Sequence, residues 1–269
     1  MSELTAAAKR GLAGFGRAGI VRVADLGGFG LFLTATVGRA LTPPYRLAPL
    51  IHQVHFIGAR SVLVIVVAGA FVGMVVALQF YNTLVRFGSV SLMGAAVGLS
   101  LVRELGPVLT ALMIIGRAGS AMCAEIGIMR MDEQIDALEC MSIDPLRFLM
   151  VPRLLGTVIA VPLLTAMFDV IGIAGGWLVG VRMFGVNEGA YFEGMYDALV
   201  WSDVNMGIVK SLVFGVLIAW ITTGKGYYLH RTVFGSHGAE GVSRVTTDAV
   251  VMAAIAVLGA DYVVSALLI

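Results

Sequence analysis

The sequence predicts an all-α integral membrane protein with about five membrane-spanning helices, and three observations carry that expectation. Of the 269 residues, 59% are hydrophobic and only 13% charged, against roughly a quarter charged in soluble domains, and the mean hydropathy is +0.94. The run 61–80, SVLVIVVAGAFVGMVVALQF, carries no charge; as a helix rising 1.5 Å per residue it covers about 30 Å, the thickness of bilayer hydrocarbon. Lysine and arginine also alternate from one side of the apolar segments to the other.

The apolar pattern sets five spans at about 61–85, 89–117, 150–181, 207–226 and 247–269. The second, third and fifth contain charges and stand out less cleanly than the first. Seven basic residues precede the first span, four lie between the second and third, and three lie between the fourth and fifth. The opposite side has only Arg86 and Arg182. Positive loops stay in the cytoplasm, so the N-terminus is expected inside and Ile269 outside.

Residues 1–60 are read as an N-terminal segment and 61–269 as one transmembrane domain. The basic residues through Arg22 are not followed by an apolar core and cleavage site, so no secretory signal is read there. From about 5 to 42 apolar and basic positions alternate up to Pro43-Pro44, which suits an amphipathic helix lying on the cytoplasmic leaflet. No internal repeat of the kind that builds inverted-repeat transporters is visible.

Small residues recur four apart at Gly69, Gly73 and Ala77, at Gly94 and Gly98, at Gly116, Ser120 and Ala124, and at Gly172, Gly176 and Gly180. Positions four apart share a helix face, and small side chains let backbones approach closely in lipid, so a tight bundle is expected. The segment 182–206 mixes Tyr191, Phe192, Tyr196 and Trp201 with Glu188, Glu193, Asp197 and Asp203. That composition suits the outer membrane–water interface, as a short helical hairpin or interfacial helix.

Enzymatic signatures are missing. There is no GxxxxGK[ST] phosphate loop, no HExxH and no GxSxG elbow. His52 and His55, three apart, lack a third ligand nearby and suit an interfacial structural role better than a metal site. A net charge of +1 gives no reason to expect nucleic-acid binding. Cys123 and Cys140 match no metal or redox spacing and are read as reduced, structural thiols.

Chemistry concentrates in the second span, at LVRELGP (101–107). An ionised group at mid-membrane costs about 3 kcal/mol on insertion scales and needs a partner or a wet cavity. Arg103 and Glu104 are neighbours and point about 100° apart around a helix, so at least one must pair elsewhere. Lys210, Asp169 and Asp261 are the candidates. Two readings follow: a structural ion-pair network between helices, or a polar gate or headgroup site at the top of a cavity. Pro107 frees a backbone carbonyl beside this charge.

A second feature is MDEQIDALECMSIDPLRFLMVPR, 131–153. Asp132 is expected to cap a short helix carrying Ile135, Leu138 and Met141 on one face and acids on the others, with Asp144-Pro145 ending it. Such a helix either docks into a groove on a cytoplasmic partner or lies solvated on the membrane.

These residues carry a family likeness. The run 101–153, LVRELGPVLTALMIIGRAGSAMCAEIGIMRMDEQIDALECMSIDPLRFLMVPR, closely resembles the MlaE/YrbE-type permeases of ABC phospholipid transporters. The likeness continues in IVKSLVFG (208–215), GAEGVSRVTTDAVV (238–251) and VLGADYVVSALL (257–268). It covers the chain from about residue 10. The resemblance implies a homodimeric permease of the Gram-negative inner membrane, with a cytoplasmic ABC ATPase on each protomer, a periplasmic hexamer of MCE-domain proteins above it and a STAS-domain protein bound to the ATPase. It implies glycerophospholipid transport between inner and outer membranes, maintaining outer-membrane lipid asymmetry. The chain itself would be non-catalytic and bind no cofactor, ATP and Mg belonging to the partner ATPase. A lipid cavity between protomers would be lined by Leu78, Tyr81, Arg103, Glu104, Lys210 and Phe214. The coupling helix would use Glu133, Gln134, Ile135, Asp136, Leu138 and Met141.

Two other classes compete. A secondary transporter would use Arg103, Glu104 and Asp169 as an ion relay and would work without an ATPase. A membrane-embedded lipid enzyme would need a nucleophile–base pair or a metal set. Copurifying partners separate all three.

Overall fold

A computed structural model describes residues 27–43, 46–229 and 238–268, and all regular structure among them is helical. The chain divides into two compact units, Met1–Tyr45 and Arg46–Ile269. In the first, residues 27–40 form α1, in which the Thr36 hydroxyl donates to the Phe32 carbonyl at 2.7 Å. The rest of the expected N-terminal amphipathic segment, up to residue 26, lies outside the described residues.

The second unit begins earlier than residue 61. It opens with α2, Leu47–Ile57, whose residues the sequence reading had placed in the N-terminal segment and which packs on α6. There follow α3, Val62–Arg86; α4, Val90–Met131; α5, Gln134–Cys140; α6, Leu146–Met183; α7, Glu188–Ala198; α8, Trp201–Tyr227; and α9, Ala239–Leu268. Among the described residues five helical stretches are long and apolar enough to cross a membrane: α2–α3 together, α4, α6, α8 and α9. All five stretches outrun the apolar runs, α4 by more than three turns at its C-terminal end. Amphipathic turns continue a helix beyond the hydrocarbon, and hydropathy cannot see them.

The helices α6 and α8 form the centre. The first packs against α2, α3, α4 and α8, and the second against α4, α6 and α9. The last helix is the least covered, burying 11% of its most apolar stretch and exposing Ile255, Leu258 and Tyr262. In water that would be costly, whereas lipid is as apolar as these side chains.

Glycine decides how closely α3 and α6 approach. A Cβ at Gly73 would run into the Gly172 carbonyl, and one at Gly175 would lie 2.5 Å from the Ala70 carbonyl. Gly94 sits in the same way against the backbone of Tyr191 on α7. Three of the four small-residue sets thus mark real seams. The fourth does not: Gly116 is exposed with nothing within 4 Å of an added Cβ. The buried face of α4 there is Ala118, Gly119, Met122 and Cys123, one step around the helix.

Two local expectations are corrected. Asp132 does not cap α5; it ends α4, donating its N–H to the Ile128 carbonyl at 2.9 Å. The residue before α5 is Glu133, in the left-handed region at φ 56°, which lets the chain reverse in two residues. Asp144-Pro145 does not end that helix either, because α5 stops at Cys140. Instead the Asp144 carboxylate accepts from the Leu146 N–H at 3.0 Å and so begins α6, where a proline in the first turn costs no hydrogen bond.

Candidate functional site

Helix α4 is not uniformly α-helical. Its turns widen to π geometry at Leu101–Leu105 and again at Ile115–Gly119, and each widened turn holds charge: Arg103 and Glu104 in the first, Arg117 in the second. A π turn inserts one residue into the helical register and re-aims side chains, a device found at functional sites.

The first widened turn faces α8. Pro107, four residues after Arg103, has no N–H to offer that carbonyl, and Lys210 Nζ donates to it at 2.9 Å. The same ammonium lies 2.6 Å from Glu104 Oε2 and 2.9 Å from Asp261 Oδ1 on α9. One turn earlier on α8, Gly207 lets the Val102 carbonyl come within 2.7 Å of where a Cβ would stand. Arg103 turns to the start of α8, where Nη2 lies 2.6 Å from Asp203 Oδ1 and Nε donates to it at 2.8 Å. Asp203 uses its other oxygen to accept from the Val200 N–H at 3.1 Å. Ser265 reaches Glu104 Oε1 at 3.4 Å.

Exposure separates the two cations. The Lys210 side chain is 0% exposed; it donates to the Arg103 carbonyl and to Glu104 Oε2 and stands at ion-pair distance from Asp261 Oδ1, so no face of the ammonium is open to a ligand. The Arg103 side chain is 43% exposed and binds one carboxylate oxygen with two of its five donors. Lys210 therefore holds the site together, while Arg103 is the cation open to a ligand.

Of the other cavity candidates, Leu78 is exposed on α3 and Tyr81, on the same face one turn on, stacks on Phe184 at 4.0 Å between ring centroids. Phe214 is fully buried one turn below Lys210 and belongs to the core of the single chain. Asp169 stands apart from the network: its Oδ1 lies buried against Gly106 and has no hydrogen-bond partner among the described residues. The relay Arg103–Glu104–Asp169 is therefore not a connected chain. Asp203, as the partner of Arg103, was missed in the sequence. Its signal was present, since Asp203 and Lys210 are seven apart and share one face of α8.

At the opposite end, α5 buries Ile135 fully and Leu138 partly, leaving Glu133, Gln134, Asp136 and Met141 exposed. An ion pair from Arg130 to Asp136 at 2.8 Å ties it to α4.

The chain matches the family model described as Permease MlaE over residues 50–267. It is 44% identical over 220 residues to the Intermembrane phospholipid transport system permease protein MlaE of Haemophilus influenzae, covering 81% of this chain and 82% of that one. It is 42% identical over 243 residues to a Probable ABC transporter permease protein of Rickettsia felis, covering 90% and 92%. It is 34% identical over 215 residues to Protein TRIGALACTOSYLDIACYLGLYCEROL 1, chloroplastic, of Arabidopsis thaliana, covering 80% of this chain and 60% of that one. The match runs from within α2 to α9 and takes in both the charged network and α5, so this chain belongs to the MlaE permease family.

Proposed function

We propose that the chain is the non-catalytic membrane subunit of an ATP-driven transporter moving glycerophospholipids between the inner and outer membranes of a Gram-negative cell. The observation that carries this reading is the half-exposed Arg103, braced by buried Asp203 beside the Lys210–Glu104–Asp261 cluster at membrane level. Its chemistry suits a phosphate. A guanidinium offers paired N–H donors to phosphate oxygens, and the surrounding carboxylates keep net attraction low enough for the lipid to leave. The relatives' names, a phospholipid transport permease and ABC transporter permeases, support it.

Two copies of the chain would enclose the lipid, with Arg103 and Glu104 at the headgroup and Leu78 and Tyr81 on the apolar side, while Phe214 packs behind them in the core of each chain. Lys210 acts through Glu104 and Asp261 as a positioning residue. The exposed edge of α5, from Glu133 and Gln134 through Asp136 to Met141, meets the ATPase, which carries ATP and Mg. The arginine-rich end of the bundle is cytoplasmic, and the end bearing Arg103 faces the periplasm and its MCE hexamer; a STAS-domain protein joins on the ATPase side. ATP-driven closure of the dimer would squeeze lipid toward or away from that hexamer.

The experiment is lipid photo-cross-linking and lipid-stimulated ATPase in the purified complex, with Arg103→Ala and Glu104→Ala. Both activities are expected to fall together with the outer-membrane barrier. Wild-type values for all three would sink the site assignment.

A further inference from the structure

The second widened turn of α4 builds a different site. Arg117 lies fourteen residues beyond Arg103, about 21 Å along the helix axis. Its Nη1 donates to the Phe56 carbonyl at 3.1 Å and to the Ser61 hydroxyl at 2.7 Å, closing the end of α2. Beside it a cavity of about 370 Å³ opens between α2 and α4, lined by His52, Gln53, His55, Arg60 and Glu125 around Phe56. Small-ligand pockets begin near this size, at roughly 300 Å³.

Its electrostatics are unbalanced. The Arg60 and Arg117 guanidinium carbons lie 5.5 and 5.6 Å from the centroid of the same Phe56 ring, so two cations crowd one aromatic face system. Neither meets a carboxylate among the described residues. The acid on the cavity wall, Glu125, is already committed, with its Oε2 2.9 Å from Arg153 Nη2. His52 and His55 add N–H donors. The cavity thus wants an anion.

We propose that this cavity binds the phosphate-bearing headgroup of a phospholipid in the leaflet at the arginine-rich end of the bundle. A phosphodiester would lie against Arg60 with the two imidazoles. Inorganic phosphate shares this chemistry, but the cavity residues, within 52–60 and 121–125, lie just past the apolar runs 61–85 and 89–117, at the depth of lipid headgroups. The site stands apart from the Arg103 network and gives one chain a headgroup foothold at each membrane face.

The test places a photoreactive p-benzoylphenylalanine at Ala121, on the cavity wall, in the full-length chain in nanodiscs of phosphatidylethanolamine and phosphatidylglycerol. A phospholipid adduct is expected at this position. Arg60→Gln combined with His55→Gln, both exposed positions, should lower it about tenfold, as loss of a charge-assisted hydrogen bond does. Glu104→Ala, at a half-exposed position of the site under Proposed function, should leave it in place, which separates the two sites. An adduct unchanged by the double substitution overturns the proposal. An adduct abolished by millimolar inorganic phosphate at matched ionic strength overturns the lipid assignment in favour of a soluble phosphate, and persistence supports it.

Discussion

Lys210 Nζ donates to the backbone carbonyl of Arg103 at 2.9 Å, and Pro107 is the reason that carbonyl is open to it. A lysine on one helix thus replaces the N–H that a proline on another cannot supply, and the replacement brings Glu104 and Asp261 with it.

Lys210→Met should therefore destabilise the protein by about 1–3 kcal/mol for each carboxylate left without its partner, less at half-exposed Glu104 than at Asp261. The midpoint of thermal unfolding in detergent reads this. Adding Asp261→Asn to Lys210→Met should recover part of the loss, because the two residues are coupled. Strict additivity of the two changes would refute the pairing.

The seam between α3 and α6 predicts opposite outcomes for two glycines. Gly73→Ala drives a methyl group into the Gly172 carbonyl and should cost about 1–3 kcal/mol. Gly116→Ala meets nothing within 4 Å and should be neutral or stabilising by up to about 1 kcal/mol. Thermal midpoints of the two variants, measured side by side, check both.

On α5, Met141→Asp should abolish copurification of the partner ATPase while the permease itself is recovered at normal yield, since Met141 is 61% exposed. Leu138→Asp should do the same with some loss of yield, being half buried. Ile135→Asp would bury a charge and lower the yield of the chain itself. Full ATPase recovery with Met141→Asp would remove α5 from the docking surface.

Tyr191 supplies the pH prediction. It is fully buried on α7, its hydroxyl donates to the Ile173 carbonyl at 3.2 Å, and burial pushes its pKa from 10 up to about 12. The folded state binds this proton more tightly than the unfolded state. Its contribution is therefore constant below pH 10, declines as the pH rises from 10 toward 12, and is lost above that. Tyr191→Phe should lower stability by about 1 kcal/mol at pH 7, and its unfolding midpoint should converge on the wild-type value between pH 10 and 12.

Much of this was legible in the sequence because its causes are local or compositional. An uncharged run such as 61–80 has one low-energy solution in lipid, a helix that bonds its own backbone, and charge within a span demands a partner wherever that partner lies. Gly73 and Gly172 were visible as seam residues for the same reason. Tertiary structure decided which partner each charge found. Arg103 took Asp203 and Lys210 took Glu104 and Asp261, while Asp169, equally eligible by composition, was left alone. That choice depends on one extra residue in a widened turn of α4, which rotates Arg103 and Glu104 toward different parts of α8 and α9. The local sequence supplies Pro107, which leaves the Arg103 carbonyl without its helical donor, but the ammonium that fills that place stands 107 residues away in the chain.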